Sequence, residues 1–516
     1  METLRQAAIE ALGRSDFRAA ERACDKLAKA GAAAEATYMR GVMKQMQGKP
    51  LAAIPLLKLA SDEQPARADI LYNYGVALRD ANRLDDAIPV WRRAVTLAPD
   101  RVDAWRNLAL AAAGRCAGEE AISTYREALA LHPADRELLY NAGNLAYRLG
   151  DLDAATAWQT QLTETHPAYA PGWMNAALTN RAKGDLTRSE EQYRRAIALH
   201  PHESDDPAQN ALAHFNLANL LLSQDRWSEG FAEYEWRRQL PGAASPPWPA
   251  PRWTPDLPAG SRVLLWNDQG LGDALQFLRF AGTLAERYRV LFFGQNALKT
   301  LAATAPGIGP VFTPADTPQQ IDAQLPLSSL PHALGLTPEN SFARPYLSAP
   351  KTNLLGERKD DRLRIGLVWA GNPDHPNDAH RSMKLADLAP LFGLPSVEWV
   401  SLQVGRGRED LAASSWPILD LAPLLTDLSV TASVMQELDL VISVDTAPAH
   451  LAGALGRPTF VALPLMGLDW RWGISGGASL WYPSMRLFRQ TRDGDWSPLV
   501  AEMRCLIAKG DLPRSA

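Results

Sequence analysis

Cysteine is scarce in this sequence: its 516 residues include only Cys24, Cys116 and Cys505. The three cysteines form neither a C-x-x-C pair nor a disulfide framework. A reducing cytoplasm is therefore the expected location.

Long apolar runs and a strong excess of one charge are also missing. No apolar run approaches the roughly 18–20 residues that a membrane span needs. The opening METLRQAAIEALGRSDF lacks a continuous apolar core and a small-residue cleavage site, so no signal peptide is predicted. The net charge of −5 does not mark a nucleic-acid binder. Neither a membrane nor a nucleic acid is expected as a partner.

A period of 34 residues runs through the first half of the chain. Five prolines keep it in phase: Pro65, Pro99, Pro133, Pro167 and Pro201. Alanines and bulky side chains recur at fixed distances before these prolines. Small residues let two helices approach, a large ring fills the space opposite, and proline ends the second helix. The pattern predicts stacked helix–turn–helix units.

This pattern resembles the tetratricopeptide repeat. About six units cover residues 1–201, and a last helical pair at 211–238 is expected to cap the array. Such arrays expose a concave groove, so the resemblance implies that residues 1–240 bind a peptide or a protein. Self-association and support of folding are the alternative roles.

The second half of the chain has a different pattern of predicted secondary structure. A proline-rich linker at 241–260 precedes short apolar strands that alternate with helices. Strands buried on both faces indicate parallel sheets, and two sets of them predict two Rossmann-like lobes, at 261–350 and 351–516. The predicted fold is multidomain: an all-α repeat superhelix followed by an α/β domain whose ligands lie beyond the carboxyl ends of the strands. The strands are expected at 262–267, 289–294, 364–371, 397–403, 438–445 and 458–464.

The first candidate site follows the first strand, in NDQGLGDALQF (267–277). Gly270 and Gly272 would let the backbone approach a bound group. Asp273 opens the next helix, and Gln276 three residues later suits a capping box, which would make Asp273 structural. The alternative makes Asp273 a general base facing the cleft. Taken alone, the motif favours the cap.

The second candidate site is VISVDTAPAHLAGALGRP (441–458). Asp445 ends a buried strand, Thr446 is placed to cap the next helix, and His450 lies in its first turn. The N–H groups of a helix start can receive a phosphate, and His450 could donate to a phosphate or sugar oxygen. A structural histidine is the alternative.

Together the motifs resemble the two-lobed GT-B fold of lipopolysaccharide heptosyltransferases, and in particular bacterial glycosyltransferases linked to repeats. YEWR (234–237), ahead of the linker, also fits this pattern. The matching segments are GLGD (270–273), LVWAGNP (367–373), Arg381-Ser382, SLQ (401–403), Asp445-Thr446 with His450, LAGALG (451–456), DWRW (469–472), WYP (481–483) and RLFRQ (486–490).

The resemblance implies an inverting, metal-independent transferase in which Asp273 deprotonates the acceptor hydroxyl. Arg381 would offset phosphate charge, and Gln403 would lie near the nucleotide. No cofactor is expected besides the co-substrate, a CMP-linked nonulosonic acid such as pseudaminic acid or a UDP-sugar. The implied donor-binding residues are Gly270, Gly272, Asn372, Arg381, Gln403, Asp445, Thr446 and His450.

Two further stretches bear on catalysis. The D-x-D strings at 151–153 and 493–495 follow no buried strand and are interpreted as solvated turns, so no metal site is predicted. The family often has an arginine and an aspartate ahead of W-Y-P, where this sequence has GISGGASLWYP (473–483). The change would alter donor choice or acceptor access, or weaken the enzyme.

The combination favours protein O-glycosylation on Ser/Thr hydroxyls, with flagellin as the first acceptor to consider. An interaction scaffold with an inactive transferase domain is one alternative. A polysaccharide glycosyltransferase whose repeats recruit a biosynthetic partner is the other.

Overall fold

The computed structural model describes residues 1–115, 118–199, 207–317, 319–336, 344–350, 352–358 and 360–516. They form two compact units, Met1–Lys183 and Gly184–Ala516. Cys116 and Pro201 lie outside the described residues.

The first unit consists of α-helices in which neighbours along the chain pack against each other. Its helices are α1 (Glu2–Gly13), α2 (Phe17–Lys29), α3 (Ala33–Met46), α4 (Pro50–Glu63), α5 (Ala68–Asp80), α6 (Leu84–Leu97), α7 (Val102–Gly114), α8 (Gly118–Leu131), α9 (Arg136–Arg148), α10 (Leu152–Thr165) and α11 (Ala170–Ala182).

The helix ends confirm the 34-residue period. Each described repeat proline lies two residues beyond the end of a helix, as Pro99 does after α6 and Pro167 after α10. Close contacts confirm the packing, because a Cβ at Gly75 would lie 2.6 Å from Cδ1 of Trp91. Only a residue without a side chain fits opposite that ring.

The second unit begins with three more helices, α12 (Leu186–Ala198), α13 (Pro207–Ser223) and α14 (Trp227–Tyr234). Helix α14 buries its aromatic face in the same core as two C-terminal tryptophans. The ring centroids of Trp227 and Trp481 are 5.4 Å apart, and those of Phe231 and Trp470 are 5.8 Å apart. The last helical pair is thus part of the hydrophobic core of the α/β unit.

The N-terminal lobe is built on a parallel sheet of strand order β3-β2-β1-β4. The linker packs against it, with the ring of Trp248 5.0 Å from that of Phe312. The elements are β1 (Arg262–Trp266), α15 (Leu271–Phe277), α16 (Ala281–Ala285), β2 (Arg289–Phe293), α17 (Lys299–Ala302), β3 (Ile308–Phe312), β4 (Ala323–Pro326) and α18 (Leu330–Leu334).

The C-terminal lobe is built on a parallel sheet of order β10-β9-β8-β5-β6-β7. Strands β8 and β9 are buried along their whole length, which explains their mostly apolar sequences. The elements are β5 (Leu363–Val368), α19 (Asp378–Arg381), β6 (Val397–Ser401), α20 (Arg408–Ala412), β7 (Ile418–Asp420), α21 (Leu428–Gln436), β8 (Leu440–Val444), α22 (Ala447–Ala454), β9 (Thr459–Leu463), β10 (Met485–Arg489) and α23 (Ser497–Lys509).

The structure confirms the predicted fold class and all six predicted strands. Strands β3, β4, β7 and β10 were not predicted. Strands β3 and β7 are short and partly exposed. Strand β4 has only four residues and β10 is interrupted by arginines, so none of the four shows a long apolar run. The helix that Asp273 was expected to open is short: α15 ends at Phe277, a 3-10 turn follows, and α16 starts at Ala281. Residues 274–281 are all buried, so packing rather than one amphipathic face sets the backbone here. None of the described helices is both long and apolar enough to cross a membrane.

Candidate active site

The two sequence motifs lie against each other. Helix α15, which carries Gly272 and Asp273, packs on helix α22 of the C-terminal lobe. A Cβ at Gly272 would lie 2.9 Å from Cδ2 of His450 and 3.7 Å from Cα of Ala447. The absence of a side chain at 272 therefore lets the proposed base approach the start of α22.

Asp273 caps its helix and keeps part of its carboxylate exposed. Its Oδ2 accepts a hydrogen bond from the backbone N–H of Gly270 at 3.0 Å, so it caps the helix as its third residue rather than as its first. Its side chain nevertheless keeps 24% of its surface exposed. Burial raises the pKa of the Asp273 carboxyl, while the charge of Arg471 opposes that rise.

Arg471 joins the two lobes at this point. Its Nη2 donates to Oδ1 of Asp273 and its Nε to Oε1 of Gln276. Its Nη1 donates to both oxygens of Asp469, at 3.0 and 2.9 Å. The guanidinium lies over Trp470, 4.4 Å from the ring centroid. DWRW (469–472) stood out in the sequence, but nothing there indicated that Asp273, 198 residues away, is its partner.

His450 lies inside the lobe contact. Its Nδ1 is 3.0 Å from the hydroxyl of Tyr482, and its ring stacks on Trp472 at 5.1 Å between centroids. Burial, and next the charge of Arg471, lower the pKa of His450 to about 3. The imidazole is therefore neutral at pH 7 and would act by hydrogen bonding rather than by charge.

Asp445 and Thr446 lie at the carboxyl end of β8. Burial, and next the charge of Asp469, raise the pKa of Asp445 to about 6. Thr446 precedes α22, but its hydroxyl donates to the carbonyl of Val444 at 3.3 Å instead of accepting from the helix. The backbone at this helix start thus has no side-chain cap from Thr446, which suits an anion.

Arg381 reaches the same strand end from the last position of α19, which follows the loop after β5. Its Nη1 donates to the carbonyl of Asp445 at 3.1 Å, and its Nε lies 3.5 Å from Oδ1 of Asp378. Asp378 also binds Nη1 of Arg406 at 3.1 Å. Asn372 is exposed on this loop and its Oδ1 accepts from the N–H of Asp374 at 3.1 Å, which closes a local turn.

Gln403 is buried at the end of β6, and its amide serves the backbone. Its Oε1 accepts from the N–H groups of Trp369 and Ala370, both at 3.0 Å. Its Nε2 donates to the carbonyls of Ala370 and Arg406, at 3.0 and 2.7 Å. Gln403 would therefore affect a nucleotide indirectly, by holding the backbone at 369–370 and at Arg406 in place.

The stretch that departs from the family pattern is held by an arginine of β10. Arg489 donates to the carbonyls of Gly476 and Gly473 at 2.9 and 3.2 Å, and to that of Trp472. Ile474 and Leu480 are exposed, at 51% and 56%. This loop presents apolar groups where the family often has charges.

Both D-x-D strings have local partners. Asp151 caps α10 by accepting from the N–H of Ala154 at 3.0 Å, and Asp495 accepts from the N–H of Ser497 at 3.1 Å. Over the described residues, no three His, Cys, Asp or Glu side chains are grouped so that they could hold a metal ion.

Two family models match the chain. A tetratricopeptide repeat model matches residues 44–101, 75–117, 118–170 and 174–244. A model described as glycosyltransferase family 9 (heptosyltransferase) matches residues 406–463, a range that includes Asp445, Thr446 and His450. The matches confirm both resemblances drawn from the sequence.

Three known proteins are similar to parts of the chain. The chain is 24% identical to Protein FlbA of Caulobacter vibrioides over 404 residues, which cover 71% of this chain and 66% of that protein. The match thus spans just under two thirds of the relative. A MamA structure from Desulfovibrio magneticus RS-1 is 18% identical, over 32% of this chain and 94% of that one, with a TM-score of 0.30. The C-terminal part of a TPR repeat-containing protein from Cytophaga hutchinsonii is 16% identical, over 47% and 96%, with a TM-score of 0.41.

Proposed function

We propose that this chain, which joins tetratricopeptide repeats to a glycosyltransferase family 9 domain, is an inverting, metal-independent protein O-glycosyltransferase. It would move a sugar from a nucleotide sugar to a Ser or Thr hydroxyl of a protein held by the repeats. The observation that supports this proposal is the close approach of Gly272 to His450 and Ala447, because it lies beside Asp273, the base candidate, and at the helix start that would receive the donor phosphate. Flagellin is the first acceptor to test, on the strength of the resemblance to repeat-linked transferases.

The chemistry follows from this placement. A carboxylate has about four lone-pair sites, so the Asp273 oxygens can accept the acceptor proton while they keep their present partners. The acceptor oxygen then bonds to the anomeric carbon, and the bond from that carbon to the phosphate oxygen breaks. The electron pair leaves with the nucleotide, whose charge the start of α22 and Arg381 would stabilise.

The charges around the site favour one of the two donor classes. Asp273, Asp445 and Asp469 all interact electrostatically around Arg471. Carboxylates accept hydrogen bonds from sugar hydroxyls and repel a sugar that carries its own carboxylate. We therefore favour a UDP-sugar over a CMP-linked nonulosonic acid as the donor.

One observation favours the scaffold alternative. Both oxygens of Asp273 already have donors, and the 473–480 loop offers no charged side chain. A scaffold should show no thermal shift with CMP, UDP, ADP or GDP. A transferase should show a shift with its own nucleotide, because a ligand that binds only the folded state stabilises it.

The test of transfer is the intact mass of flagellin co-expressed with this protein and a donor pathway. The control is Asp273→Asn, which keeps an oxygen for the Gly270 cap. A sugar-sized mass gain that is lost in the control supports the proposal, and its size identifies the sugar. Bound but unmodified flagellin, with every donor pathway supplied, would favour the scaffold.

A further inference from the structure

The guanidinium of Arg471 is the feature that the proposed chemistry leaves unused. Its side chain is 6% exposed and donates to Asp273, Asp469 and Gln276. Two of these acceptors belong to helix α15 of the N-terminal lobe, and the third belongs to its own segment of the C-terminal lobe. An arginine committed in this way is not free to bind a phosphate.

Asp273 is surrounded by groups from several elements. Asp268 lies in the loop after β1, Tyr234 ends α14, and Asp469 lies beside Arg471. Asp268 and Asp469 both disfavour a charge on Asp273. His450 on α22 is neutral at pH 7. Arg471 is thus the cation in contact with the carboxylate.

We propose that Arg471 is a positioning residue for transfer: it holds the Asp273 carboxylate ionised and oriented between the lobes. This inference rests on the proposed function, in which Asp273 is the base. Burial penalises the charged form of a carboxyl, and an adjacent cation restores that form. Without Arg471, Asp273 would keep its proton to higher pH and could not accept one from the acceptor.

Asp469 completes the arrangement. When Asp273 takes the acceptor proton it becomes neutral, and Arg471 loses one of its two anionic partners. The bidentate contact with Asp469 remains, at 3.0 and 2.9 Å, so the guanidinium stays paired through the step. The proton moves only from the acceptor hydroxyl to Asp273, and Arg471 keeps its own.

The test compares Arg471→Met, Arg471→Lys and the matched control Arg489→Met in pH profiles of kcat/KM. Arg489 is a partly buried arginine of the same region, but it binds backbone carbonyls. We expect the acid limb to move up by about one pH unit or more in Arg471→Met, with a loss of kcat/KM that approaches roughly 10-fold on the acid side of the limb. Arg471→Lys should return the acid limb most of the way to its wild-type pH. Arg489→Met should lower the unfolding temperature but leave the acid limb at its wild-type pH.

Two results would overturn the inference. One is an unchanged acid limb in Arg471→Met. The other is an equal displacement in Arg489→Met, which would mean that the limb reports general loosening. Full transfer by Asp273→Asn is a different failure, since it would refute the proposed base itself.

A measurement without transfer tests the same point. The unfolding temperature of Arg471→Met is compared with that of Arg471→Met/Asp273→Asn between pH 4 and 8. Wild type and Asp273→Asn form the reference pair, because the pKa of Asp273 is already raised when Arg471 is present. If that pKa rises further without Arg471, more of the stability contribution of Asp273 is lost as the pH rises. The loss toward pH 8 should then be larger in the Arg471→Met pair than in the reference pair, and equal losses would show that Arg471 does not control the ionisation of Asp273.

Discussion

Arg237 donates two hydrogen bonds to one carboxylate oxygen of Asp268, from Nε at 3.0 Å and from Nη2 at 2.8 Å. Both side chains are buried, at 2% and 5% exposure. Ser328 donates to the same carboxylate at 2.8 and 2.7 Å. The pair ties the end of the helical region to the loop that leads into Gly270. YEWR (234–237), ahead of the linker, is thereby bonded to the loop that carries the first candidate motif.

Removing Arg237 should therefore destabilise the second unit. Arg237→Met leaves the Asp268 charge buried with only Ser328 as a donor, which should cost about 3–5 kcal/mol. The measurement is the free energy of unfolding in urea. Arg238→Met is the control, because Arg238 is 39% exposed and its nearest acidic oxygen, on Glu235, is 3.9 Å away. The control should cost less than about 1 kcal/mol, and similar losses in both would contradict this account.

Because the second unit begins at Gly184, a fragment that starts there should be more stable than one that starts after α14. A chain of residues 184–516 keeps α14 and its aromatic contacts, so it should unfold cooperatively and bind its nucleotide while losing transfer to a protein. A chain of residues 241–516 loses Trp227, Phe231 and Tyr234 from the core around Trp470 and Trp481. Circular dichroism and thermal shift should show it unfolded or aggregated. Equal stability of the two fragments would assign α14 to the repeats alone.

The repeat packing can be tested at one glycine. A Cβ at position 75 would overlap the Trp91 ring, so Gly75→Ala should destabilise the first unit by about 1–3 kcal/mol. Gly114→Ala is the matched control on α7, where the nearest atom to a new Cβ is Cδ1 of Leu84 at 3.8 Å. That change should be neutral or stabilise the unit by a few tenths of a kcal/mol, because alanine has a higher helix propensity than glycine. Thermal unfolding of the full chain distinguishes the two, and an equal response would argue against the Gly75–Trp91 contact.

The burial of Asp445 should make the stability of the protein depend on pH. Its folded-state pKa, about 6, is above the unfolded value of 3.8, so its contribution to stability is complete below pH 3.8 and lost as the pH rises through 6. Asp445→Asn cannot ionise, and at pH 7.5 it should be more stable than wild type by roughly 2–3 kcal/mol. The gap should close toward pH 4. A constant gap across pH would contradict the assignment.

The sequence predicts what repeats or runs continuously along the chain. The phase of Pro65 to Pro167 locates the helix ends, and unbroken apolar runs locate β1, β5, β8 and β9. Contacts between residues far apart in the chain could not be predicted in this way. Asp273 fits the first turn of a helix from local sequence, but its pairing with Arg471 depends on how two lobes meet. Gln403 likewise follows a strand end that suits a ligand. Only the structure shows that both its amide oxygen and its amide nitrogen form hydrogen bonds with backbone groups.

The contact between Gly272 and His450 has a consequence for how such sequences can diverge. The ring leaves no room for a methyl group at 272, since the two atoms would be 2.9 Å apart. A substitution at either position therefore changes which residues the other can accept, although 178 positions separate them. Among related chains these two positions are expected to covary, so that a family member with alanine at 272 carries a smaller or displaced side chain at 450.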